Sequence, residues 1–389
     1  MGRLRWASAI LAPGVLLLSA SAAWAAPDPA TCALRYLAAQ QSADGSVGGQ
    51  AGVTADYVFG AAAAGFDPTL LEKSGGSSAI AYLESAIGGS LGNAAIVAKT
   101  ALAGLDARLD PTSFGGHDLL AALDATYSST THAFGDGETY TQSLAILALG
   151  AAADAGHPVP AAAVSELIAA QDSDGSWDFQ GVKDAAGGGD TNSTAVAIEA
   201  LAAAGTPPTD ASIAAALTYL HAQQLGDGGF PYSDAFGPPF SDPDSDANVI
   251  QGLVAAGEDP SAAAWTKGGH TAPTNLRTFQ SAANGGFTFP GNPGPDAFTT
   301  SQVPGGLEQV PFPGRRTWTA GSTLPAGVCA AVVPSPSGSA RPIATPPATA
   351  TSGPMAPAPA EPGWIPVLAV LALGGAAVAA GSRSRRRPR

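Results

Sequence analysis

Residues 241–248, SDPDSDAN, place Asp242, Asp244 and Asp246 at alternate positions. Calcium and other hard cations prefer carboxylate oxygens, so this segment is a candidate calcium site. The segment lacks the internal glycine and the distal glutamate of an EF-hand loop. The alternative is a helix start, where the helix dipole favours acidic side chains without any metal.

Four acidic residues recur at an almost constant interval along the chain. The four are Glu138, Asp190, Asp242 and Asp296, and each precedes a leucine by the same distance, at Leu149, Leu201, Leu253 and Leu307. If the segments that follow them run parallel, the carboxylates gather at one end as an acidic rim that could admit a cation or a basic ligand. The alternative is that they cap helices.

Aromatic residues two positions apart follow three Gly-containing turns, as Trp177/Phe179, Phe230/Tyr232 and Phe287/Phe289. Such residues either pack between structural units or line a ligand funnel. The candidate ligand-binding residues are therefore Glu138, Asp190, Asp242, Asp296, Trp177, Phe230, Tyr232, Phe236 and Phe287, with Phe240 and Trp265 as further candidates.

The elements that position these residues form a repeat. A Gln-x-x-x-Gly turn occurs in QDSDGSW (171–177), QSADGSV (41–47) and QLGDGGF (224–230). Around each turn one helical segment ends and, after a Gly-rich loop, a second begins, with Gly and Pro at the helix ends. The constant interval indicates a repeat architecture, and we count six helix pairs within residues 27–330.

The second helix of each pair is rich in Ala, Gly and Val, and small residues let helices approach closely. We therefore expect the second helices to form an inner ring that six pairs can close. Cys32 lies in the first helix and Cys329 just after the last pair, so a disulfide could join the two ends of the ring; the alternative is two free thiols.

The motif Gln171-x-x-x-Gly175-x-Trp177 resembles the QW repeat of the squalene-cyclase and protein-prenyltransferase α/α toroids, and the resemblance covers about residues 30–320. It implies an all-α fold, an (α/α)6 toroid of six helix pairs. In that family the glutamine caps neighbouring helix ends and joins one repeat to the next. The motif therefore implies structure rather than chemistry.

The same resemblance allows the family's chemistry to be tested on residues. Class II terpene cyclases use a D-x-D-D motif whose middle aspartate donates a proton, and here the segment reads Asp242-Pro243-Asp244-Ser245. Asp244 thus falls on the acid position as the candidate catalytic residue, but Ser245 replaces the last aspartate. Zinc prenyltransferases need an Asp, Cys and His set, whereas both cysteines here flank the body, and no GCGEQ-like thioester motif occurs.

A weaker resemblance concerns TTSQVPGGLEQVPFPG (299–314). It is similar to the closing stretch of exported bacterial toroids like the helical domain of cobalamin carriers. Those proteins need a β-rich second domain to cover the ligand, and a Pro-rich segment stands in its place here. The resemblance therefore implies at most weak cobalamin-type capture.

The two ends of the chain predict export and anchoring. Residues 1–26 have the pattern of a signal peptide. Residues 331–363 are rich in Pro, Ala, Ser and Thr and predict a disordered stalk, 364–381 a transmembrane helix, and 382–389 a basic cytoplasmic tail. The alternative for the last two segments is a sorting signal that is removed. We expect the protein at the cell surface, anchored in the cell membrane.

Charge argues against nucleic acid as a partner. Seven of the 17 basic residues lie in the two terminal segments, which leaves ten against 31 acidic residues between them. Such a surface repels polyanions. The leading hypothesis is a non-catalytic, surface-tethered toroid that binds an amphipathic small molecule or an extracellular partner at the ring mouth. The alternative is an enzyme on the same ring, either a degenerate terpene cyclase using Asp244 or a carbohydrate-active enzyme using rim carboxylates and Tyr232.

Overall fold

A computed structural model describes residues 28–185, 188–234, 238–312, 318–327 and 329. These residues form twelve α-helices and one two-stranded hairpin, so the expected all-α class is confirmed. The predicted signal peptide, stalk, transmembrane helix and tail lie outside the described residues. Within the described residues, every helix is too short or too polar to cross a bilayer.

The helices alternate between an outer and an inner layer. The outer helices are α1 (Pro29–Gln40), α3 (Ala79–Ile87), α5 (Leu119–Asp124), α7 (Ala161–Ala169), α9 (Ala211–Gln223) and α11 (Ala272–Leu276). The inner helices are α2 (Ala51–Ala63), α4 (Ala94–Asp106), α6 (Thr139–Ala151), α8 (Thr191–Ala203), α10 (Pro243–Ala255) and α12 (Ala297–Leu307). The hairpin pairs β1 (Tyr127–Ser128) with β2 (Ala133–Phe134) between α5 and α6.

The inner helices form a closed ring. Each packs against the next along the chain, and α12 returns to pack against α2. Each outer helix packs on the inner helix of the preceding pair, and α1 closes this layer by packing on α12. The prediction of six helix pairs closed into a toroid is therefore confirmed for the described residues.

Small residues set the distance between inner helices, as expected. A Cβ atom added to Gly252 on α10 would lie 2.9 Å from the Cα of Ala195 on α8. One added to Gly306 on α12 would lie 2.6 Å from the Cα of Ala247 on α10. Because real Cβ contacts do not come this close, the backbones meet in a way that only glycine permits.

The repeated glutamine joins consecutive repeats through two backbone carbonyls. The Nε2 of Gln171 donates to Gly175 O in its own turn (2.8 Å) and to Ser212 O of the next repeat (2.9 Å). Gln41, Gln224 and Gln280 make the same pair of bonds. Gln280 reaches Pro29 O, so the last repeat is joined to the first by the contact that links the others.

The chain after α12 covers the ring end at which the inner helices terminate. Val310 O accepts a hydrogen bond from Gln251 Nε2 (2.9 Å), and the Phe312 ring meets that of Phe59 edge to face at 4.7 Å between centroids. Farther along, the indole N–H of Trp318 donates to Asp106 O (2.8 Å). This end of the ring is therefore closed by residues 308–312.

The two cysteines are joined in the structure. The Sγ atoms of Cys32 and Cys329 are 2.08 Å apart, and 297 residues separate them in the chain. The bond ties the last described residue to the first outer helix. Of the two alternatives that the sequence leaves open, the structure has the disulfide.

Candidate functional site

A cavity of about 510 Å³ lies on the axis of the ring. Its mouth is at the ring end where the inner helices begin, because exposed residues such as Gly49 and Asp136 line it there. Its floor includes Phe59 and Phe312. It is large enough for a small organic molecule, for which pockets of this size are typical.

The lining follows the repeat. Counting from the residue that precedes each inner helix, the second, sixth and ninth positions face the axis, as the helical period requires. The second positions are Gly52, Ala95, Tyr140, Asn192, Asp244 and Phe298, and all except Asp244 contact the cavity. The second and ninth positions are about 10 Å apart along each helix, so the cavity is about three side-chain layers deep.

The sixth positions carry an ion pair. They are Asp56, Lys99, Leu144, Val196, Asn248 and Gln302, and all six line the cavity. Lys99 Nζ lies 2.8 Å from Asp56 Oδ1 and 3.3 Å from the hydroxyl of Tyr140. Burial alone would lower the pKa of Lys99, but Asp56 and Tyr140 together raise it above its usual value, so the lysine stays charged.

Of the ninth positions, Phe59, Gln251 and Gly305 line the floor of the cavity and the other three do not, but Glu199 bonds to the floor residue Phe312. Glu199 is 1% exposed and accepts a hydrogen bond from the backbone N–H of Phe312 at 2.6 Å, while its Oε1 has no hydrogen-bond partner. Burial raises the pKa of Glu199 to about 8. The Nε2 of Gln251 donates a hydrogen bond to the neighbouring carbonyl of Val310. The floor is thus fixed by polar contacts from two inner helices.

The four recurring acids precede inner helices, as both the acidic-rim and the helix-capping hypotheses required, but they separate into two groups. Asp190, Asp242 and Asp296 cap α8, α10 and α12 by accepting backbone N–H groups of Ser193, Ser245 and Thr299 at 2.7–2.8 Å. Glu138 precedes α6 without any side-chain capping bond. Glu138 and Asp190 line the cavity, whereas Asp242 and Asp296 do not.

Burial changes the acidity of the two lining carboxyl groups. Burial and the nearby Asp136 raise the pKa of Glu138. Asp190 is 3% exposed, and burial raises its pKa to about 7, with hydrogen bonds from Ser193 and Tyr232 opposing the rise. Near neutral pH, Asp190 is therefore poised to gain or lose a proton.

Asp244 occupies an axis-facing position in the first turn of α10. It is 2% exposed, and neither carboxyl oxygen has a hydrogen-bond partner. Burial raises its pKa well above the usual value, and Asp242, Asp296 and Asp56 add to the rise. The side chain is thus a buried carboxylic acid one turn before Asn248, which contacts the cavity.

The calcium prediction for Asp242, Asp244 and Asp246 is wrong. Asp242 binds the backbone and hydroxyl of Ser245, while Asp246 accepts hydrogen bonds from the Phe230 N–H (2.6 Å) and Asn275 Nδ2 (2.9 Å). Alternate positions on a helix point in different directions, so the three carboxylates do not converge. No group of three His, Cys, Asp or Glu side chains in the described part of the chain could hold a metal ion.

The position of Asp246 has a structural role in most repeats. It is the fourth after the capping residue, and there Thr54, Gln142, Thr194 and Thr300 each accept the N–H of a turn residue, as Asp246 does. The N–H donors are Val47, Phe134, Trp177, Phe230 and Phe287. Asp246 therefore fixes a turn to its inner helix.

The first aromatic residue of each triplet is wrongly predicted as a ligand contact. Trp177, Phe230 and Phe287 are 0% exposed and belong to the hydrophobic core between the helix layers. The indole N–H of Trp177 donates to Leu167 O at 2.7 Å. The alternative, packing between repeats, is the observed one.

The second aromatic residue of two of the triplets is placed differently from the first. Phe179 and Tyr232 are half-buried and line the cavity mouth. Phe240 is 53% exposed and its ring lies 6.1 Å from that of Phe289, whereas Trp265 is buried. Phe236 lies outside the described residues.

Sequence reasoning missed most of the lining. Asp56, Lys99, Tyr140, Asn248, Gln251, Gln302 and Phe312 were not among the candidates. A signal for many of them was present: the evenly spaced acids fix the register, and counting two, six and nine positions from each gives the axis-facing ones. Phe312 had no such signal, since it follows the last helix.

The fold has counterparts among known structures, while no family model and no curated protein sequence matches the chain. Type II terpene cyclase MstE from Scytonema in its apo form is 14% identical, with a TM-score of 0.50 over 72% of this chain and 96% of that one. A variant of MstE in complex with its product merosterolic acid A gives 14% identity and 0.50 over 72% and 95%.

A third structure, ent-copalyl diphosphate synthase from Streptomyces platensis, is 16% identical with a TM-score of 0.46 over 67% of this chain. This chain spans half the length of that synthase. Structural similarity at such low sequence identity shows a shared fold and does not show shared chemistry. The described part of the chain therefore has the α/α toroid fold of squalene-cyclase-like and terpene-cyclase-like proteins.

Proposed function

We propose that the protein is a small-molecule-binding toroid whose axial cavity takes an amphipathic ligand through the mouth at the start of the inner helices. The observation that carries the proposal is the cavity itself, about 510 Å³, closed at one end by Phe312. Its lining combines rings such as Phe59 and Phe298 with polar groups such as Asn248 and Gln251. A mixed lining of this kind suits a molecule with an apolar body and a polar end.

The test is native mass spectrometry of the full-length protein purified from its own host. We expect a small organic mass to remain bound. Gly52 lines the cavity, and a Cβ atom there would have only Lys99 Nζ near it, at 4.0 Å. Gly52→Phe should therefore place a ring inside the cavity and abolish the bound mass.

The matched control is Gly92→Phe, which adds the same ring at an exposed loop position with open space around it. We expect this variant to retain the ligand. The proposal fails if the wild-type protein arrives empty and takes up nothing from a lipid extract of the host. It also fails if Gly52→Phe and the wild type carry the same mass in the same amount.

We further propose that the toroid is displayed at the cell surface, held by the segment at 364–381. The disulfide supports this proposal, since such bonds persist mainly in oxidising compartments. The test is labelling of intact cells with a membrane-impermeant biotin reagent, followed by fractionation. Labelled protein in the membrane fraction is expected; unlabelled protein in the cytoplasmic fraction would contradict the proposal.

A second candidate function is proton donation by Asp244 to an alkene of a linear isoprenoid. The specific observation in its favour is a buried carboxyl group whose two oxygens have no partner. The toroid fold shared with MstE, a type II terpene cyclase, adds to it. In this step the O–H proton adds to one alkene carbon and the electron pair of the O–H bond stays on Asp244. The proton that the resulting cation later loses restores the acid.

Deuterium incorporation separates this candidate from pure binding. Squalene or geranylgeraniol is incubated with the protein in deuterated water, and products are analysed for one added deuterium. Asp244→Asn should abolish the labelled product, while Asp296→Asn, which keeps a capping side chain, should not. Absence of any labelled product with the wild-type protein rejects this candidate for these substrates. Labelled product from Asp244→Asn rejects the assignment of Asp244.

A further inference from the structure

One sector of the cavity mouth combines carboxylates with aromatic rings. Glu138 and Asp190 precede the adjacent inner helices α6 and α8. The backbone N–H of Thr139, next to Glu138, donates to Phe179 O at 3.1 Å, and the hydroxyl of Tyr232 bonds to the carboxylate of Asp190. Glu138, Phe179, Asp190 and Tyr232 all line the cavity. We call these four residues the α6–α8 sector.

Charge balance in the cavity favours a cationic guest. Lys99 is the one basic residue among the described lining residues, and it is already paired with Asp56 at 2.8 Å. Glu138 and Asp190 have no basic side chain bonded to them among the described residues. A ligand with a positive charge would supply a counter-ion to Glu138 and would favour the ionised form of Asp190, whose pKa burial raises to about 7.

Among the four recurring acids, Glu138 is the one whose carboxylate makes no capping hydrogen bond to the helix that follows it. At the equivalent positions Asp190, Asp242 and Asp296 each accept a backbone N–H, whereas Glu138 makes no capping bond. Its side chain is one methylene longer and lines the cavity. The carboxylate is therefore available to a bound group rather than committed to the fold.

Below this sector the lining becomes apolar. Leu144 and Val196 lie six residues beyond Glu138 and Asp190 on the same two helices, and both contact the cavity. On the neighbouring helix α10, Asp244 carries a buried carboxyl group whose two oxygens are unpartnered, but it does not line the cavity.

We infer that the ligand of this cavity is an organic ammonium compound, its cationic head held between the carboxylates and rings of the α6–α8 sector and its apolar body against Leu144 and Val196. Aromatic faces attract ammonium groups, and carboxylates at the same site add direct charge attraction. This inference rests on the proposed binding function and names its ligand class.

The test compares three probes that share one hexyl chain: hexyltrimethylammonium, hexan-1-ol and hexanesulfonate. Binding to the full-length protein is measured by isothermal titration calorimetry. We expect the ammonium compound to bind at least about tenfold more tightly than the alcohol, as a partly desolvated cation among aromatic rings and carboxylates should. The sulfonate should bind more weakly than either.

Variants locate the head group. Glu138→Gln and Phe179→Leu should each weaken the binding of hexyltrimethylammonium by about three- to tenfold and leave the affinity for hexan-1-ol unchanged. The matched control is Asp296→Asn, at the equivalent position of the last repeat, where the side chain caps α12 and does not line the cavity. This variant should change the affinity for neither probe.

Each remaining outcome decides a different point. Equal binding of all three probes, or tighter binding of the sulfonate, overturns the ammonium inference while leaving a binding cavity. Tighter binding of the ammonium compound with no effect of Glu138→Gln or Phe179→Leu overturns the assignment to this sector. If none of the three probes binds, the ammonium inference fails. If Gly52→Phe also changes nothing in the native mass spectrum, the binding function itself fails.

Discussion

The acids at the helix starts show how one sequence position serves different purposes. Asp190, Asp242 and Asp296 cap their helices, and Asp190 also reaches the cavity, while Glu138 reaches the cavity without capping. The sequence predicts that such acids lie at helix starts, because the capping preference is local. It does not predict which of them lines the cavity, because that depends on side-chain length and on the loops of neighbouring repeats.

Asp244 and Asp246 lie two positions apart on α10, and their substitution by asparagine should have opposite effects. Asp246 accepts N–H groups from Phe230 and Asn275, so Asp246→Asn would set an amide NH2 against one of these donors and lose about 1–3 kcal/mol of unfolding free energy. Asp244 has no partner to lose. Asp244→Asn should therefore be neutral or stabilising at pH 8.

Urea denaturation of both variants beside the wild type measures the two effects. The interpretation of Asp246 as a structural residue is contradicted if Asp246→Asn is as stable as the wild type. The interpretation of Asp244 as an unpartnered buried acid is contradicted if Asp244→Asn is the less stable of the two.

The glutamine turns are the elements that link repeat to repeat. Gln41 is 1% exposed and donates to Gly45 O and Leu71 O, both at 3.0 Å. Gln41→Ala leaves two carbonyls without this donor and should lower the unfolding free energy by about 1–3 kcal/mol. The control is Gln40→Ala, the adjacent exposed glutamine at the end of α1, which should be close to neutral. Similar losses in both variants would show that the two hydrogen bonds contribute nothing specific.

Inner helices tolerate added volume only where they face the cavity. Gly252→Ala would push a methyl group against the α8 backbone at Ala195 and should destabilise by about 1–3 kcal/mol. Gly52→Ala places the same methyl group in the cavity, so its higher helix propensity should stabilise by up to about 1 kcal/mol. Thermal unfolding of the two variants gives the comparison, and a stable Gly252→Ala protein would contradict the close helix contact.

The repeat made the elements predictable and the site only partly so. The regular spacing of turns and acids predicted six helix pairs, the closed ring and the role of the glutamines, since all of these follow from local turns and residue size. The aromatic triplets went wrong at Trp177, Phe230 and Phe287 because residue type and spacing do not show which aromatic side chain of a triplet is buried in the core. The floor at Phe312 comes from a segment with no repeat partner.

At the scale of the whole molecule, closure depends on contacts between the two ends of the described chain. Gln280 bonds to Pro29 O, α1 packs on α12, and Cys32 is joined to Cys329 across 297 residues. In the chain-entropy account, a crosslink over so long a loop contributes up to about 5 kcal/mol. The last repeat is thus joined to the first by the same kind of contact that joins consecutive repeats, with the disulfide added.

Buried acids give the whole molecule an unusual dependence on pH. Burial raises the pKa of Asp242 to about 6, of Asp190 and Glu308 to about 7 and of Glu199 to about 8. The folded protein therefore keeps protons that the unfolded chain releases from about pH 4 upward. Their contribution to stability is fully present below the pKa values that these groups have in the unfolded chain. It is lost as the pH rises through the higher pKa values that they have in the folded protein.

The turn acids act in the opposite direction and at lower pH. Hydrogen bonds from Ser46, Thr112 and Ser212 lower the pKa of Asp44, Asp110 and Asp210, so their contribution is lost as pH falls through the lowered values. Together the two groups of acids place maximum stability near about pH 4 rather than at neutral pH.

We therefore expect the melting temperature of the full-length protein to fall by several degrees between about pH 5 and pH 8.5. Glu199→Gln keeps an acceptor for the Phe312 N–H but cannot ionise, so its melting temperature should fall less steeply over this range. An exposed substitution, Glu166→Gln, serves as the control and should follow the wild type. A wild-type profile that is flat or rises toward pH 8.5 would contradict the assignment of buried, protonated acids, because ionisation of Glu199 and Asp190 would then cost the fold nothing.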